Sequence, residues 1–394
     1  AVLLTERMVQ PMDKPTVQDI FHRFYPAYLD QYSPSPVQAK VAHNIMNCKT
    51  GAYGANVCVC EDCGFVQIHY NSCRNRCCPM CQAVPKEMWM DARREDVLDA
   101  PYFHLVFTVP DILNPVIYSN QRLLYDALYH AASSTISELT ADPKHLGAKV
   151  GYICILHTWG SEMNFHPHIH TILLGGGLAS NNQWKDNGEN FFLPIRVISK
   201  MFRGKYLEEL KRLWEEDKLV FHGTAEKFRN HYTFKELLDS CYGMDWIPHC
   251  KKTFNGAQTV IKYLGKYTHR IAVSNHRIVR MDDDTVTFLV KDYRNEGQWK
   301  ELTISGVEFV RRFLMHVPPR RFVRIRHYGL LCSRTKSQKL TLCRNLLGCK
   351  KYLSKLRDME MPEILEHLYG IKVCVCKACG GHLGKTQMRM PLRC

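Results

Sequence analysis

From Val17 to Tyr32 apolar residues return at the three-to-four-residue interval of a helix, and Ser33-Pro34-Ser35-Pro36 interrupts them before a second short helix. Residues 1–47 therefore read as a helical N-terminal segment. Periodicity disappears through residues 48–81, where cysteines stand in place of the apolar residues a core would need, as in a small module organised by metal. Met88–Leu98 reads as a connecting helix. Beyond it come a β-rich run over Tyr102–Val109, closed by Pro110, and a long amphipathic helix over Val116–Leu139. Two further strands follow at Val150–His157 and His168–Leu174, the second ended by Gly175-Gly176-Gly177. Helical spacing returns at Lys205–Leu219 and Thr259–His269. Residues 277–304 alternate like an antiparallel meander with Asp282-Asp283-Asp284 as a turn, and Ser305 with Glu308 predicts a capping box for a helix over Val307–His316. Strands separated by helices, with antiparallel neighbours, give an α+β fold class. The breaks divide the chain into 1–47, 48–98, 99–304 and 305–394.

Composition changes this picture in two places. The 394 residues carry 53 Lys+Arg against 38 Asp+Glu, a formal net charge of +15, and the excess is concentrated. Between Arg311 and Arg357 there are nine Arg and five Lys and no Asp or Glu, interleaved with Phe313, Phe322, Tyr328 and Tyr352. Clustered cations neutralise phosphates and aromatic faces stack on unpaired bases, so this run predicts a nucleic-acid surface, with Arg320, Arg321, Arg324 and Arg326 as its candidates. A mean hydropathy of −0.28 and the lack of any apolar run near the roughly 18 residues of a spanning helix exclude a membrane-spanning protein. A secreted chain is not expected either, since no charged-then-apolar leader opens the sequence.

The second place is the cysteines. Eighteen of them, clustered in pairs two residues apart, point to metal rather than to a disulfide framework. Cys60-Glu61-Asp62-Cys63 and Cys78-Pro79-Met80-Cys81, fourteen residues apart, predict one four-thiolate structural zinc site. Cys58, Cys73 and Cys77 lie close by, with His43 and Cys48 upstream, either as a second site or as small buried hydrophobes. Near the C-terminus Cys374, Cys376, Cys379 and His382 form half a knuckle, with Cys394 as a further candidate ligand.

The sharpest constellation is His157 followed by His166-Pro167-His168-Ile169-His170. Alternation in a strand puts His168 and His170 on one face, and a hairpin brings His157 beside them, so three imidazoles would make an open divalent-metal site. His166 sits in the connection and is the weaker candidate. Tyr263 and Tyr267 are spaced so that on a helix both phenols project from one face, with Lys262, Lys266, His269 and Arg270 as neighbouring cations.

The histidine strand followed by a tyrosine helix resembles the HUH single-strand DNA nucleases. The order of Cys-x2-Cys pairs, then His166-Pro-His-Ile-His170-Thr-Ile-Leu-Leu-Gly-Gly-Gly177, Tyr263-x3-Tyr267-Thr-His-Arg270 and Arg324-Ile-Arg-His-Tyr-Gly329 is similar to the rolling-circle transposases of the insertion-sequence-91 type. The likeness runs from about residue 35 to 382, with Cys77 standing where relatives carry His. The resemblance implies a catalytic domain (99–304) built on a central antiparallel sheet flanked by helices. A zinc-binding, DNA-binding domain (48–98) would precede it and a basic DNA-binding region (305–394) follow. It implies a tyrosine that attacks a phosphodiester and keeps a 5′-phosphotyrosine link, and a catalytic Mg²⁺ or Mn²⁺ on His157, His168 and His170. Structural Zn²⁺ would sit on the cysteines, and Lys266 and Arg270 would join the DNA contacts. The expected partners are single-stranded transposon ends with hairpins, and target DNA; the expected location is the bacterial cytoplasm, on the nucleoid. A rolling-circle replication initiator or a relaxase shares these motifs. A non-catalytic zinc-ribbon regulator would leave the histidines and tyrosines without a task, and a zinc metallohydrolase lacks its His-Glu-x-x-His helix.

Overall fold

The computed structural model describes residues 14–186, 193–246, 248–254, 260, 265, 272–292 and 297–386. The chain opens with α1 (Val17–Gln31) and α2 (Pro36–Met46), each started by a complete capping box, Thr16 with Asp19 and Ser35 with Gln38. A hairpin of β1 (Ala55–Cys60) and β2 (Val66–Tyr70) follows, and then α3 (Ala83–Arg94). Next come β3 (Tyr102–Thr108), α4 (Asn114–Ser119), α5 (Gln121–Ala141), β4 (Lys149–Trp159), β5 (Phe165–Leu178) and β6 (Trp184–Asp186). Then follow α6 (Ile195–Glu215), α7 (His231–Gly243), β7 (His249–Phe254), β8 (Ile278–Met281), β9 (Thr285–Asp292) and β10 (Gln298–Ser305). A helix over Gly306–Met315, β11 (Ile325–Gly329), helices over Lys336–Leu347 and Met361–Tyr369, and β12 (Leu383–Thr386) complete the described chain.

The central sheet runs β11-β4-β5-β3-β7, with β6 added to the end of β5, and every pairing in it is antiparallel. Both of its faces are covered, so nearly every residue of β4 and β5 is buried, His168 and His170 included. On one face Phe103, Phe107, Cys154, Leu156, Ile169 and Leu173 pack against α5, α6 and α7. On the other, Tyr102, Ile153, Ile155, Ile172 and Leu174 meet Met90 of α3 and Leu340 of Lys336–Leu347. The meander β8-β9-β10 forms a separate sheet whose core is shared with α1, α2 and the helix Gly306–Met315.

Several expectations change at this level. The helix expected over 116–139 is two helices, broken at Asn120. The Asn120 amide donates to the carbonyls of Val116 and Val220 and accepts from the Val220 amide, a partner 100 positions away that local periodicity cannot reveal. Ser305 does cap its helix through the Glu308 amide, but Glu308 does not reciprocate, because its carboxylate is taken by Arg311 and Arg312. The boundaries drawn at 47, 98 and 304 do not separate the observed sheets. β11 belongs to the central sheet, and β12 pairs with β1 from the opposite end of the chain. Strand partners are chosen by sheet edges, which carry no mark in local sequence.

Gly329 ends β11 at φ +61°, and a Cβ there would run into the Val150 carbonyl oxygen on the neighbouring strand. Gly329→Ala is expected to lower stability by about 1–3 kcal/mol, read as a reduced denaturant midpoint at unchanged slope. An unchanged midpoint would mean that β11 does not lie against β4 in this register.

Candidate functional site

The β4–β5 register sets His157 directly opposite His168, and the β3–β5 register sets Thr108 opposite His168 and Val106 opposite His170. Alternation then gives His157, His168 and His170 one common face, where all three are buried at 3–9% exposure. Their ligand nitrogens lie within 4.8 Å of one another, and Nε2 of His168 is 3.1 Å from Nε2 of His170. Nitrogens bound at right angles to one ion at about 2.1 Å lie about 3 Å apart, so this spacing fits a shared cation.

The surroundings fix which nitrogens point inward. Nδ1 of His168 lies 2.7 Å from the His166 carbonyl oxygen, which only accepts, so that nitrogen carries the proton and Nε2 is a lone pair. Nδ1 of His170 lies 2.9 Å from Nε2 of His104, and the two rings stack. Trp159 stacks on His157 with ring centres 4.6 Å apart. Two imidazole lone pairs facing each other at this distance repel unless a proton or a metal ion stands between them. The donor set therefore fits a divalent ion, with three neutral ligands that leave its charge uncompensated. His166 itself turns to Asp111, 3.3 Å away at the surface.

His104 and Trp159 were missed by sequence reasoning. His104 had one usable signal, its place two residues from Tyr102 and Val106 in a strand, but its partner is set by register alone.

The single zinc site expected from Cys60, Cys63, Cys78 and Cys81 is not assembled. β1 and β2 form a hairpin in which Val59 pairs with Val66 at the turn and Ala55 with Tyr70 at the open end. The Cys60–Cys63 turn therefore sits at one end, while residues 71–81 leave from the other, about 16 Å away at about 3.3 Å per residue. Cys78 and Cys81 instead gather with Cys48 and Cys73, all four sulfurs within 4.8 Å, and Cys60 and Cys63 lie with Cys376 and Cys379. Hydrogen bonds from Cys73 and Cys78 pull the Cys81 thiol well below its ordinary range. Cys58 and Cys77 are buried outside both clusters. The Cys77 thiol is pushed up by burial and faces Arg324 and Arg76.

The basic run is not one solvent face. Arg311 and Arg312 pair with Glu308, Arg326 with Asp126, Lys336 with Asp96, and Arg357 with Glu95. Arg326 also lies 4.0 Å above the Tyr129 ring, so it ties β11 to α5 rather than facing a ligand. Arg320 and Arg321 are exposed. Arg324 is half-buried 6.0 Å from the Trp159 ring, which places a guanidinium one ring away from His157. Tyr263, Tyr267, Lys266 and Arg270 lie outside the described residues. Val260 packs with Ile155 and Ile172 on the histidine-bearing face, and a Cβ on Gly265 would meet the Met90 sulfur in that same cluster.

A buried three-histidine cluster on an antiparallel sheet, in a chain that also carries two four-cysteine clusters and exposed arginines, describes an α+β protein with three candidate metal sites among the described residues. Comparison with known proteins narrows that class. Residues 151–339 match the family described as "Putative transposase", and residues 20–109 match the "Transposase zinc-binding domain". The chain is 40% identical over 369 residues to "Putative transposase y4qJ" of Sinorhizobium fredii, covering 93% of each chain. It is 30% identical over 309 residues to the transposase for insertion sequence element IS801 of Pseudomonas savastanoi pv. phaseolicola, covering 77% of this chain and 72% of that one. The chain belongs to the IS91-type transposase family, with its N-terminal zinc-binding domain. Among solved structures, the conjugative relaxase TrwC with oriT DNA is matched only weakly. A metal-bound form gives a TM-score of 0.24 at 16% identity over 28% of this chain and 43% of that one. A copper-bound form gives 0.26 at 13% identity over 66% and 99%.

Because His104 meets His170 at Nδ1, it acts by orienting His170. His104→Ala is expected to weaken Mn²⁺ binding about 10–100-fold in calorimetric titration while thermal stability stays within a few degrees. Equal Mn²⁺ affinity in the variant would reduce His104 to a packing residue.

Proposed function

We propose that this transposase nicks and rejoins single-stranded DNA at transposon ends through a 5′-phosphotyrosine link to Tyr263 or Tyr267. His157, His168 and His170 would hold a Mg²⁺ or Mn²⁺ ion. The observation that carries the reading is the converging set of buried imidazoles, with Nε2 of His168 and Nε2 of His170 3.1 Å apart. Bound there, the ion supplies Lewis-acid polarisation of the scissile phosphate and neutralises charge that grows on its oxygens. The phenol oxygen forms a bond to phosphorus, the bond to the 3′ oxygen breaks, and the phenol proton ends on that oxygen as a 3′-OH. The link conserves the phosphodiester for rejoining, and the second tyrosine allows a second strand transfer while the first strand stays attached. Val260 and Gly265, the described residues on either side of Tyr263, pack on the histidine face, which supports this assignment. Arg320 and Arg321, exposed, and Arg324, beside Trp159, suit the backbone of a strand led toward the histidines.

Relatives named as transposases, one covering 93% of the chain, favour this reading over a replication initiator or relaxase. Hairpin-bearing transposon ends and target DNA are the proposed partners. Among the described residues no helix is long and apolar enough to cross a membrane, and action at the bacterial nucleoid is part of the same proposal.

The test is a labelled single strand carrying the element's ends, incubated with protein and Mn²⁺, followed by mass spectrometry of the adducted peptide. Tyr263→Phe with Tyr267→Phe should leave no adduct while DNA binding persists. Either single change should abolish complete transposition, although nicking can survive on the remaining phenol. His168→Ala or His170→Ala should lower cleavage at least about 100-fold with strand affinity nearly unchanged, because their task lies in the transition state. An adduct on another residue, or cleavage that survives both chelation and His168→Ala, would overturn the mechanism.

A further inference from the structure

The cysteine pair at each end of the chain is unfinished by itself. Cys60-Glu61-Asp62-Cys63-Gly64 and Cys376-Lys377-Ala378-Cys379-Gly380 are the same turn built twice. In each, the glycine amide donates to the carbonyl of the first cysteine, at 3.0 Å and 2.9 Å. In each, that glycine adopts a left-handed conformation, φ +70° and +80°. The turns face one another with Cys60 Sγ 3.4 Å from Cys379 Sγ and Cys63 Sγ 3.7 Å from Cys376 Sγ. Four thiolates bound tetrahedrally at about 2.3 Å lie about 3.8 Å apart, close to what is seen.

The backbone holds this arrangement from both sides. β12 pairs with β1 so that Leu383 lies opposite Cys60, and the Glu61 amide donates to the His382 carbonyl. The amides of Ala378 and Gly381 donate to the sulfurs of Cys376 and Cys379, each at 3.4 Å, which stabilises sulfur in its anionic form. All four sulfurs are free thiols.

We infer that Cys60, Cys63, Cys376 and Cys379 bind a second zinc ion, and that this ion joins the two ends of the chain into one zinc ribbon. It is distinct from the four-cysteine set that the matched zinc-binding segment completes by itself, although Cys60 and Cys63 lie within that segment. Residues 20–109 contain a complete four-cysteine set in Cys48, Cys73, Cys78 and Cys81, whereas Cys376 and Cys379 lie outside both matched segments. The consequence is that the tail is part of the N-terminal domain. A groove of about 1220 Å³ is lined from both ends of the chain, by Ile68, Tyr70 and Arg74 with Met361, Leu365 and Val373. Zinc affinity is spent on folding in such sites, so losing the tail should loosen the β1–β2 hairpin.

Metal analysis of the purified full-length protein should find two zinc ions per chain. Cys376→Ser with Cys379→Ser should leave one, as should Cys78→Ser with Cys81→Ser, and Cys379→His, which keeps a ligand, should retain two. Cys63 and Cys379 are exposed, so in the unaltered protein their alkylation should quicken at least about 10-fold once a chelator removes the metal. That measurement stands even if the double serine variant fails to fold. One zinc in the unaltered protein, disulfides among these four cysteines, or alkylation equally fast before and after chelation would each overturn the inference. None of these readouts depends on DNA cleavage.

Discussion

The antiparallel pairing of β4 with β5 is the contact on which the rest depends. Eleven residues lie against fourteen, and their register determines which side chains share a face. A slip of one residue would carry His168 and His170 into the helical layer and Ile169 into the histidine cluster's place. The slip is prevented by what the other parity buries: Cys154, Leu156, Ile169 and Leu173 fill a continuous core with α5 and α6. Each such side chain returned to water would cost about 1.5–3 kcal/mol, far more than three histidines could recover. The apolar core thus places the histidines, and they need contribute nothing to stability.

Around that pairing the protein spends polar groups on orientation. The His166 carbonyl holds the His168 tautomer, His104 meets the far nitrogen of His170, and Trp159 covers His157. Beyond them Arg324 sits near the Trp159 ring and near Cys77 and Arg76, and burial lowers its pKa from the usual guanidinium value. Cationic groups here serve two ends. Some, like Arg326 on Asp126 and Tyr129, fasten β11 to the helical layer, and others, like Arg320 and Arg321, are left to solvent. Counting cations along the chain mixes the two.

A second constraint is the return of the C-terminal region to elements hundreds of residues earlier. β11 extends the central sheet beside β4, Tyr352 and Ser354 donate to the Asp91 carboxylate of α3, and β12 extends the β1–β2 hairpin. Hydrogen bonds from Ser354, Tyr352 and the Leu356 amide hold the Asp91 carboxyl below its ordinary value despite its burial. The basic C-terminal region is therefore built into the sheets of the molecule and is not an appended arm.

Sequence by itself determined what periodicity and spacing can carry: an α+β chain, the histidine strand with its common face, Cys-x2-Cys pairs as metal ligands in waiting, and the family resemblance. Each of these rests on neighbours within a strand or a turn, where a period of two or a gap of two residues has one geometric meaning. Tertiary structure alone decided the partners. It divided the four cysteines between two clusters, because a hairpin of five paired positions separates its turn from its open end. It broke a predicted helix at Asn120 through Val220, brought His104 to His170, and turned Arg326 inward onto Asp126. In every case the deciding contact joins residues far apart in the chain, and which sheet edge or cluster a residue meets depends on the free energy of the whole packed core.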